Sequence, residues 1–342
     1  MYSFKNDYSE EGAHPRILNK IVETNLIQQP GYGEDEYSAQ AKEVLRKKIS
    51  NTEAVIYFLS GGTQTNLIVI ASLLRPHEAV ISAKTGHIYA NETGSIEATG
   101  HRVITIETAD GRLTPVAIAE VLKEYSLRPH VVKPKMVYIS NSTEIGTVYR
   151  KSELRELFEF CQSQDLYLFL DGARLGNALT AQDNDLTLPD VSAYTDVFYI
   201  GGTKNGALLG EAVVFNKAFW AEDFDYILKQ RGALLAKGRL LGIQFLELFK
   251  DDLYFQLAKH ANSMAMKVAD AIKAEGYSFL TRPVSNQIFP ILPQELIDRL
   301  SRKYDFYIWQ PVDAKQSAIR LITSWATDEE QVDRFIDDLK QR

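Results

Sequence analysis

Three segments of this 342-residue chain set reactive or phosphate-binding residue types between apolar runs. In the first, residues 60–66 read SGGTQTN, between a strand-like run and a helix-like one. Gly61 and Gly62 permit close approach to the backbone, Thr63 and Thr65 carry hydroxyl donors, and the following helix N-terminus favours a phosphate. The segment lacks the lysine of a P-loop and the spacing of a dinucleotide fingerprint, so a plain turn with a helix cap is its alternative reading. In the second, Asp171 closes the apolar run of LFLDGARLG. That sets a carboxylate at the C-terminal end of a strand, the edge along which open α/β sheets bind ligands. Arg174 follows it, and a structural Asp–Arg pair is the competing explanation. The third is Lys204 in FYIGGTKNGALLG. Partial desolvation among glycines and apolar runs, or a nearby cation, would favour the neutral amine, which can form an imine. Taken alone, Lys204 could equally be a surface-loop lysine.

Together the three are more informative. A phosphate cup, an acid able to pair with a protonated pyridine nitrogen and an imine-forming lysine are the protein parts that a pyridoxal 5'-phosphate site requires. Asp171 would keep the ring nitrogen protonated, and Lys204 would hold the cofactor and exchange it for a substrate amine.

The elements that must position these residues are legible from residue 55 onward. Short apolar runs at 55–59, 79–82, 102–106, 136–139, 166–170, 197–200 and 212–215 read as strands. Helical spacing at 65–74, 113–125 and 151–163 separates them, which predicts a mostly parallel sheet covered on both faces. Before it, residues 1–16 read as a polar arm or loop, 17–26 and 39–49 as helices, and Pro30, Gly31 and Gly33 as turn signals. After it, long helical stretches at 221–249 and 252–275 mark a boundary near residue 250. Strands at 287–291, 306–308 and 319–323 with helices at 294–302 and 328–340 predict a smaller α/β unit. The expected organisation is an arm at 1–16, a large domain at 17–249 and a small C-terminal domain at 250–342.

Composition excludes several classes. A net charge of -7 offers no general attraction to nucleic acid or an anionic membrane. The one cysteine, Cys161, rules out an internal disulfide, a CxxC motif and a cysteine-cluster metal site, and reads as a helix-face residue without chemistry. No metal is expected. The N-terminus has no apolar signal region and no stretch approaches the roughly 18 apolar residues of a membrane span, so a cytoplasmic location is the default expectation.

The chain resembles the threonine aldolase family of fold-type I pyridoxal-phosphate enzymes, within the β-eliminating lyase superfamily. The resemblance covers nearly the whole chain and rests on PGYG at 30–33, LLRPHEAVIS at 73–82, TGHIYANETG at 85–94, DGRLTP at 110–115, STEIGTVY at 142–149, LDGARLGNAL at 170–179, GGTKNGALLGEAVVF at 201–215, LLAKGRLLG at 234–242 and IRLITSWAT at 319–327. It implies a large domain with a mostly parallel central sheet plus a smaller C-terminal α/β domain. It also implies that Lys204 carries the cofactor, that Asp171 pairs with its pyridine nitrogen and that Gly62 and Thr63 contact its phosphate. His87 matches a histidine that stacks on the ring and could help deprotonate the substrate hydroxyl. Arg174 and Arg320 match the arginines around the cofactor and substrate carboxylate, where bidentate contact would orient an amino acid. Asn6 stands where many relatives have serine. Tyr32 lies on a loop that in relatives approaches the site across a subunit boundary, and Lys237 and Arg239 match a basic segment near a neighbour's phosphate.

This chain departs from the family pattern in three further places. It has GGTQTN where many members have SGTMGN, NSTE at 141–144 where many have NTHN, and GGTKNG where Ser–Lys–Gly is common. The resemblance implies cleavage of L-threonine, L-allo-threonine and related β-hydroxy-α-amino acids to glycine and an aldehyde, in a homodimer or homotetramer with shared active sites. β-Elimination, racemisation or transamination on the same cofactor is the enzymatic alternative. A metabolite-binding protein that kept the fold is the non-enzymatic one.

Overall fold

The structure, a computed structural model, describes residues 1–10 and 12–341. After a two-residue strand near the N-terminus, β1 (Tyr2–Ser3), come seven that form one sheet. These are β2 (Val55–Leu59), β3 (Glu78–Ala83), β4 (Arg102–Ile106), β5 (Lys133–Ser140), β6 (Tyr167–Asp171), β7 (Val197–Gly201) and β8 (Glu211–Phe215), in the order β2-β8-β7-β6-β5-β3-β4. Neighbours from β7 to β4 are parallel, whereas β8 runs antiparallel to both β7 and β2.

The apolar runs become strands here because both faces are covered. Leu168 and Leu170 of β6 join Phe198 and Ile200 of β7 in one core, while Phe169, Val197 and Tyr199 point into the other. That is the two-residue alternation of a strand serving two layers. The helix Lys151–Ser163 covers the first face with Leu154, Leu157 and Cys161 at helical spacing. Its N-terminus is capped where the Arg150 amide donates to the Glu153 carboxylate at 2.7 Å. Burial pushes the Cys161 thiol up to about 12, which leaves it unreactive. Gly62–Leu73 covers the second face with Ile68, Val69 and Ile70.

A smaller sheet follows, built from β9 (Gln287–Ile288), β10 (Ile291–Pro293), β12 (Tyr307–Pro311) and β13 (Gln316–Ile322), with β11 (Tyr304–Asp305) pairing instead with β1. Leu321 of β13 packs with Val268 of helix Leu253–Ala274 and Phe335 of helix Glu329–Lys340. No described helix is long and apolar enough to cross a membrane.

Three expectations need correction. The stretch 221–249 is two helices, Phe224–Gln230 and Arg239–Phe249, separated by residues 231–238. Gly232 ends the first by taking φ +69°, a left-handed conformation that glycine adopts without strain, while Ala233 closes back on the Leu228 carbonyl at 2.8 Å. The expected strand 287–291 is broken into β9 and β10, with Pro290 lacking an amide donor for the ladder. The polar N-terminal segment is also anchored. β1 pairs in parallel with β11, Phe4 is 1% exposed within the smaller core, and the Ile322 amide donates to the Phe4 carbonyl at 2.8 Å. An isolated Phe4 in a polar run gives no periodicity from which to read this.

One buried acid at the foot of β7 makes stability depend on pH. Asp196 accepts from the Leu168 amide at 2.7 Å and from Gln162 Nε2 at 3.1 and 3.2 Å, yet burial pushes its pKa up to about 6. Between the ordinary aspartate value of about 3.9 and that value, the folded state holds a proton that the unfolded chain has released. Stability therefore falls as pH rises through this window, by about 3 kcal/mol for a two-unit shift. In Asp196→Asn, Gln162 can turn its amide to match, and the change in urea midpoint between pH 4.5 and 7 is expected to shrink. An unchanged pH dependence in the variant would reject this account.

Candidate active site

Because β8 alone opposes the others, the C-terminal ends of β2, β3, β5, β6 and β7 meet the start of β8 along one edge. A cavity of about 320 Å³ opens there, lined by residues 60–63 after β2, Ser140 at the end of β5, Asp171 at the end of β6, Lys204 after β7 and Glu211 at the start of β8. A second cavity of about 470 Å³ lies on the side of the smaller sheet, lined by Asn6, Gln287, Tyr307, Trp309 and Arg320. Tyr8, His87, Glu144, Arg174 and Lys204 line both, so the two form one continuous site.

Asp171 is 4% exposed and surrounded by donors. Its Oδ1 accepts from the Tyr199 hydroxyl at 2.5 Å and the Ala173 amide at 2.9 Å, and its Oδ2 from the Tyr138 hydroxyl and from Asn66 Nδ2 at 3.1 Å. Burial alone would raise its pKa; the His87 side chain and these donors hold it below the ordinary carboxylate value. Gly172 makes the turn possible, since a Cβ there would lie 1.8 Å from the Tyr199 carbonyl oxygen. Asn66 Nδ2 donates as well to Glu92 Oε1 at 2.8 Å, and the same oxygen is 2.7 Å from His87 Nδ1. Ser95 Oγ donates to Glu92 Oε2 at 2.7 Å. In the tautomer that carries its proton on Nδ1, His87 donates to this carboxylate beside Asn66 and Ser95, and the contact fixes the imidazole in place.

Lys204 makes no hydrogen bond or ion pair to another described side chain. Burial lowers its pKa and the Arg174 charge adds to the effect, with Asp7, Asp171 and Glu211 opposing. Glu211 lies in register with Leu59 and Gly201, accepts from the Gly202 amide at 3.1 Å, and is pushed up to about 8 by burial. Arg174 is engaged by Asp7 through Nε at 2.6 Å and Nη2 at 3.0 Å, and Asn286 supports the same carboxylate at 3.0 Å. Arg320 is different. Its guanidinium lies over the Tyr307 and Trp309 rings, 4.9 and 5.6 Å from their centroids, Nη2 reaches only the Lys5 carbonyl at 3.3 Å, and buried Nε has no partner.

These residues fit pyridoxal 5'-phosphate. Helix Gly62–Leu73 starts at Gly61 with no side-chain cap, so its first amides are open to an anion. Asp171 presents a buried carboxylate held ionised, and Lys204 a buried amine in no ion pair with another described residue, on the same cavity.

Lys204, Asp171, His87, Arg174, Gly62 and Thr63, singled out from the sequence, all line the first cavity, and Asn6 and Arg320 line the second. Tyr32 lies outside both within one chain: it is 49% exposed, with the Lys229 ammonium 4.6 Å from its ring centroid. Arg239 is turned to the Ile27 and Asn25 carbonyls. Sequence reasoning missed Glu92, Asn66, Glu144, Glu211, Tyr138 and Tyr199. Glu144 and Glu211 carried a signal, as carboxylates within otherwise small or apolar motifs. The two tyrosines, inside apolar strands, carried none.

The beta-eliminating lyase family profile matches residues 21–293. The low specificity L-threonine aldolase of Pseudomonas aeruginosa is 32% identical over 334 residues, 96% of this chain and 94% of that protein. Among solved structures, the threonine aldolase of Leishmania major is 46% identical with a TM-score of 0.97, covering 99% of both chains. Aspartate aminotransferase from Thermus thermophilus, at 13% identity and a TM-score of 0.71, shares the fold alone. With its motifs, its sheet-edge site and these relatives all in agreement, the chain belongs to the beta-eliminating lyase family of pyridoxal-phosphate-dependent enzymes.

Proposed function

We propose that this enzyme cleaves L-threonine, L-allo-threonine and related β-hydroxy-α-amino acids between Cα and Cβ, giving glycine and an aldehyde. The observation that carries the reading is Arg320, a guanidinium stacked on two rings with an unpartnered buried Nε, on the cavity shared by Lys204 and His87. It would bind the substrate carboxylate, while Arg174, already engaged by Asp7, holds the wall between the two cavities. Pyridoxal phosphate, when bound, supplies the sink for the electron pair that Cα keeps. Lys204 would hold the cofactor between turnovers, Asp171 would pair with its ring nitrogen, and residues 61–63 would take its phosphate. His87, fixed by Glu92, would bound the ring face, and Asn6 would contact the substrate. Large P. aeruginosa-type coverage along the chain supports transfer of the relatives' reaction.

We further propose a homodimer or homotetramer in which Tyr32 completes the neighbouring site. Exposed Leu26, Tyr89 and Leu208 support an interface. The division into a cofactor-binding unit at 17–249 and a smaller unit at 250–342 accords with one sheet within 55–215 and another within 287–322, and the arm at 1–16 joins the smaller unit through β1.

Purified enzyme reconstituted with cofactor is expected to release glycine and acetaldehyde in equal amounts from at least one of L-threonine and L-allo-threonine, measured by amino-acid analysis and coupled aldehyde reduction. 2-Oxobutyrate with ammonia, or a racemised amino acid, in place of those products would transfer the enzyme to another reaction of the same cofactor.

A further inference from the structure

We infer that Glu144 is the catalytic base that takes the β-hydroxyl proton of the substrate, an assignment that rests on the aldol-cleavage reading above. The group that does this must reach both the cofactor cavity and the substrate cavity. Of the five residues that line both, Arg174 cannot accept a proton and is engaged by Asp7, Lys204 is committed to the cofactor, and Tyr8 is 55% exposed. His87 and Glu144 are left. His87 donates Nδ1–H to Glu92, which leaves Nε2 as its one acceptor, on a ring that the proposed function commits to the cofactor face. Glu144 carries no such second role. Its two hydrogen bonds from other described residues both fall on Oε1, from Ser140 Oγ at 2.6 Å and from the backbone amide of His87 at 3.0 Å, none falls on Oε2, and the residue lines both cavities. The carboxylate is thereby fixed against His87 itself with one oxygen available as an acceptor. It also closes NSTE at 141–144, a segment in which this chain departs from the NTHN of many relatives.

The electrostatic surroundings suit a base. His87 faces Glu144 from the helix His87–Ala90, Tyr138 from β5, Asp171 from the end of β6, Arg174 from the turn after it, and Lys204 from the segment after β7. Burial raises the Glu144 pKa and Asp171 adds to the rise, while the Ser140 bond and His87 oppose it. A carboxylate so raised accepts a proton at neutral pH more readily than an ordinary one. In the step, the O–H pair becomes the second bond of the aldehyde carbonyl, the Cα–Cβ bond breaks, and its pair stays with Cα. The hydroxyl proton passes to Glu144, and Cα takes up one proton, so no oxidant or reductant is needed.

The test is Glu144→Gln as holoenzyme, whose amide oxygen can still accept from Ser140 and His87. Cleavage of threonine is expected to slow on the order of 10²–10⁴-fold. Exchange of the glycine α-hydrogen with deuterium oxide and the absorbance change on glycine binding, which need no β-hydroxyl base, are expected to stay at wild-type level. The acid limb of the wild-type kcat/KM profile is expected to vanish from the residual activity. Undiminished cleavage would overturn the assignment, and so would loss of glycine exchange in parallel with cleavage, the mark of a structural role. Partial recovery in Glu144→Asp would support it. A wild-type enzyme that makes no glycine and aldehyde would instead overturn the aldolase reading on which the assignment rests.

Discussion

Replacing Lys204 with alanine is expected to reduce threonine cleavage on the order of 10³-fold or more, the scale seen when a covalent catalytic group is removed. Among the described residues, Lys204 is the one charged side chain of the cavity in no hydrogen bond or ion pair. Burial and Arg174 both lower its pKa, which favours the neutral amine that can attack a carbonyl. The same facts predict that the fold tolerates the change. Removing a buried amine that no hydrogen bond or ion pair to another described residue holds relieves a desolvation cost, so the alanine variant is expected to unfold at the same urea concentration as the wild-type apoenzyme or a higher one. Lys204→Arg is expected to be equally inactive, because a guanidinium keeps its charge and offers no neutral amine. Absorbance titration with cofactor, followed by product analysis, separates the outcomes. The alanine variant should lack the absorption band of lysine-bound cofactor and make no product. Turnover at wild-type rate in either variant would take Lys204 out of the chemistry.

The parts of the site that could be read from sequence are those whose position follows from a single local pattern. Asp171 ends an apolar run and Lys204 follows one, and in a mostly parallel sheet both ends must fall on the same edge. Residues 55–59, 102–106 and 151–163 match their elements to the residue, because each is an uninterrupted run at a clean period. Long-range pairing was beyond that reach. Asn66 touches Asp171 from 105 residues away, and Asp7 engages Arg174 across 167 residues, and no local period reports on so distant a partner. The N-terminal segment shows why this matters for function. Phe4 is drawn into the smaller core by its own burial, and that contact delivers Asn6 and Asp7 to the site and sets the Lys5 carbonyl beside Arg320. A segment that reads as a polar arm is therefore part of the active-site wall. Tyr32 presents the converse problem: its proposed role lies across a subunit boundary, and no pattern within one chain reports on that.

Asp171→Asn is expected to lower kcat on the order of 10²–10³-fold at saturating cofactor, the cost typical of removing one preorganised electrostatic group. The substitution preserves shape and removes charge, but the surrounding bonds do not accept it passively. Each carboxylate oxygen faces one hydroxyl, which can reverse its direction, and one amide, which cannot: the Ala173 backbone N–H at Oδ1 and the Asn66 side-chain NH₂ at Oδ2. Wherever the new NH₂ group is placed, it meets a donor. Asn66 cannot turn over to help, because the same nitrogen serves Glu92 Oε1 and its carbonyl would then confront that carboxylate. A buried donor left unpaired costs about 1–3 kcal/mol, so the variant is expected to lose stability as well as rate. Rearrangement of Asn66 would also reach His87 through Glu92, coupling the pyridine side of the site to its imidazole side. Steady-state kinetics at saturating cofactor, read beside urea unfolding of the apoenzyme, separates the two effects. A variant destabilised by this amount with wild-type kcat would show that the four-donor nest around Asp171 is structural and that the ring nitrogen is served by another group.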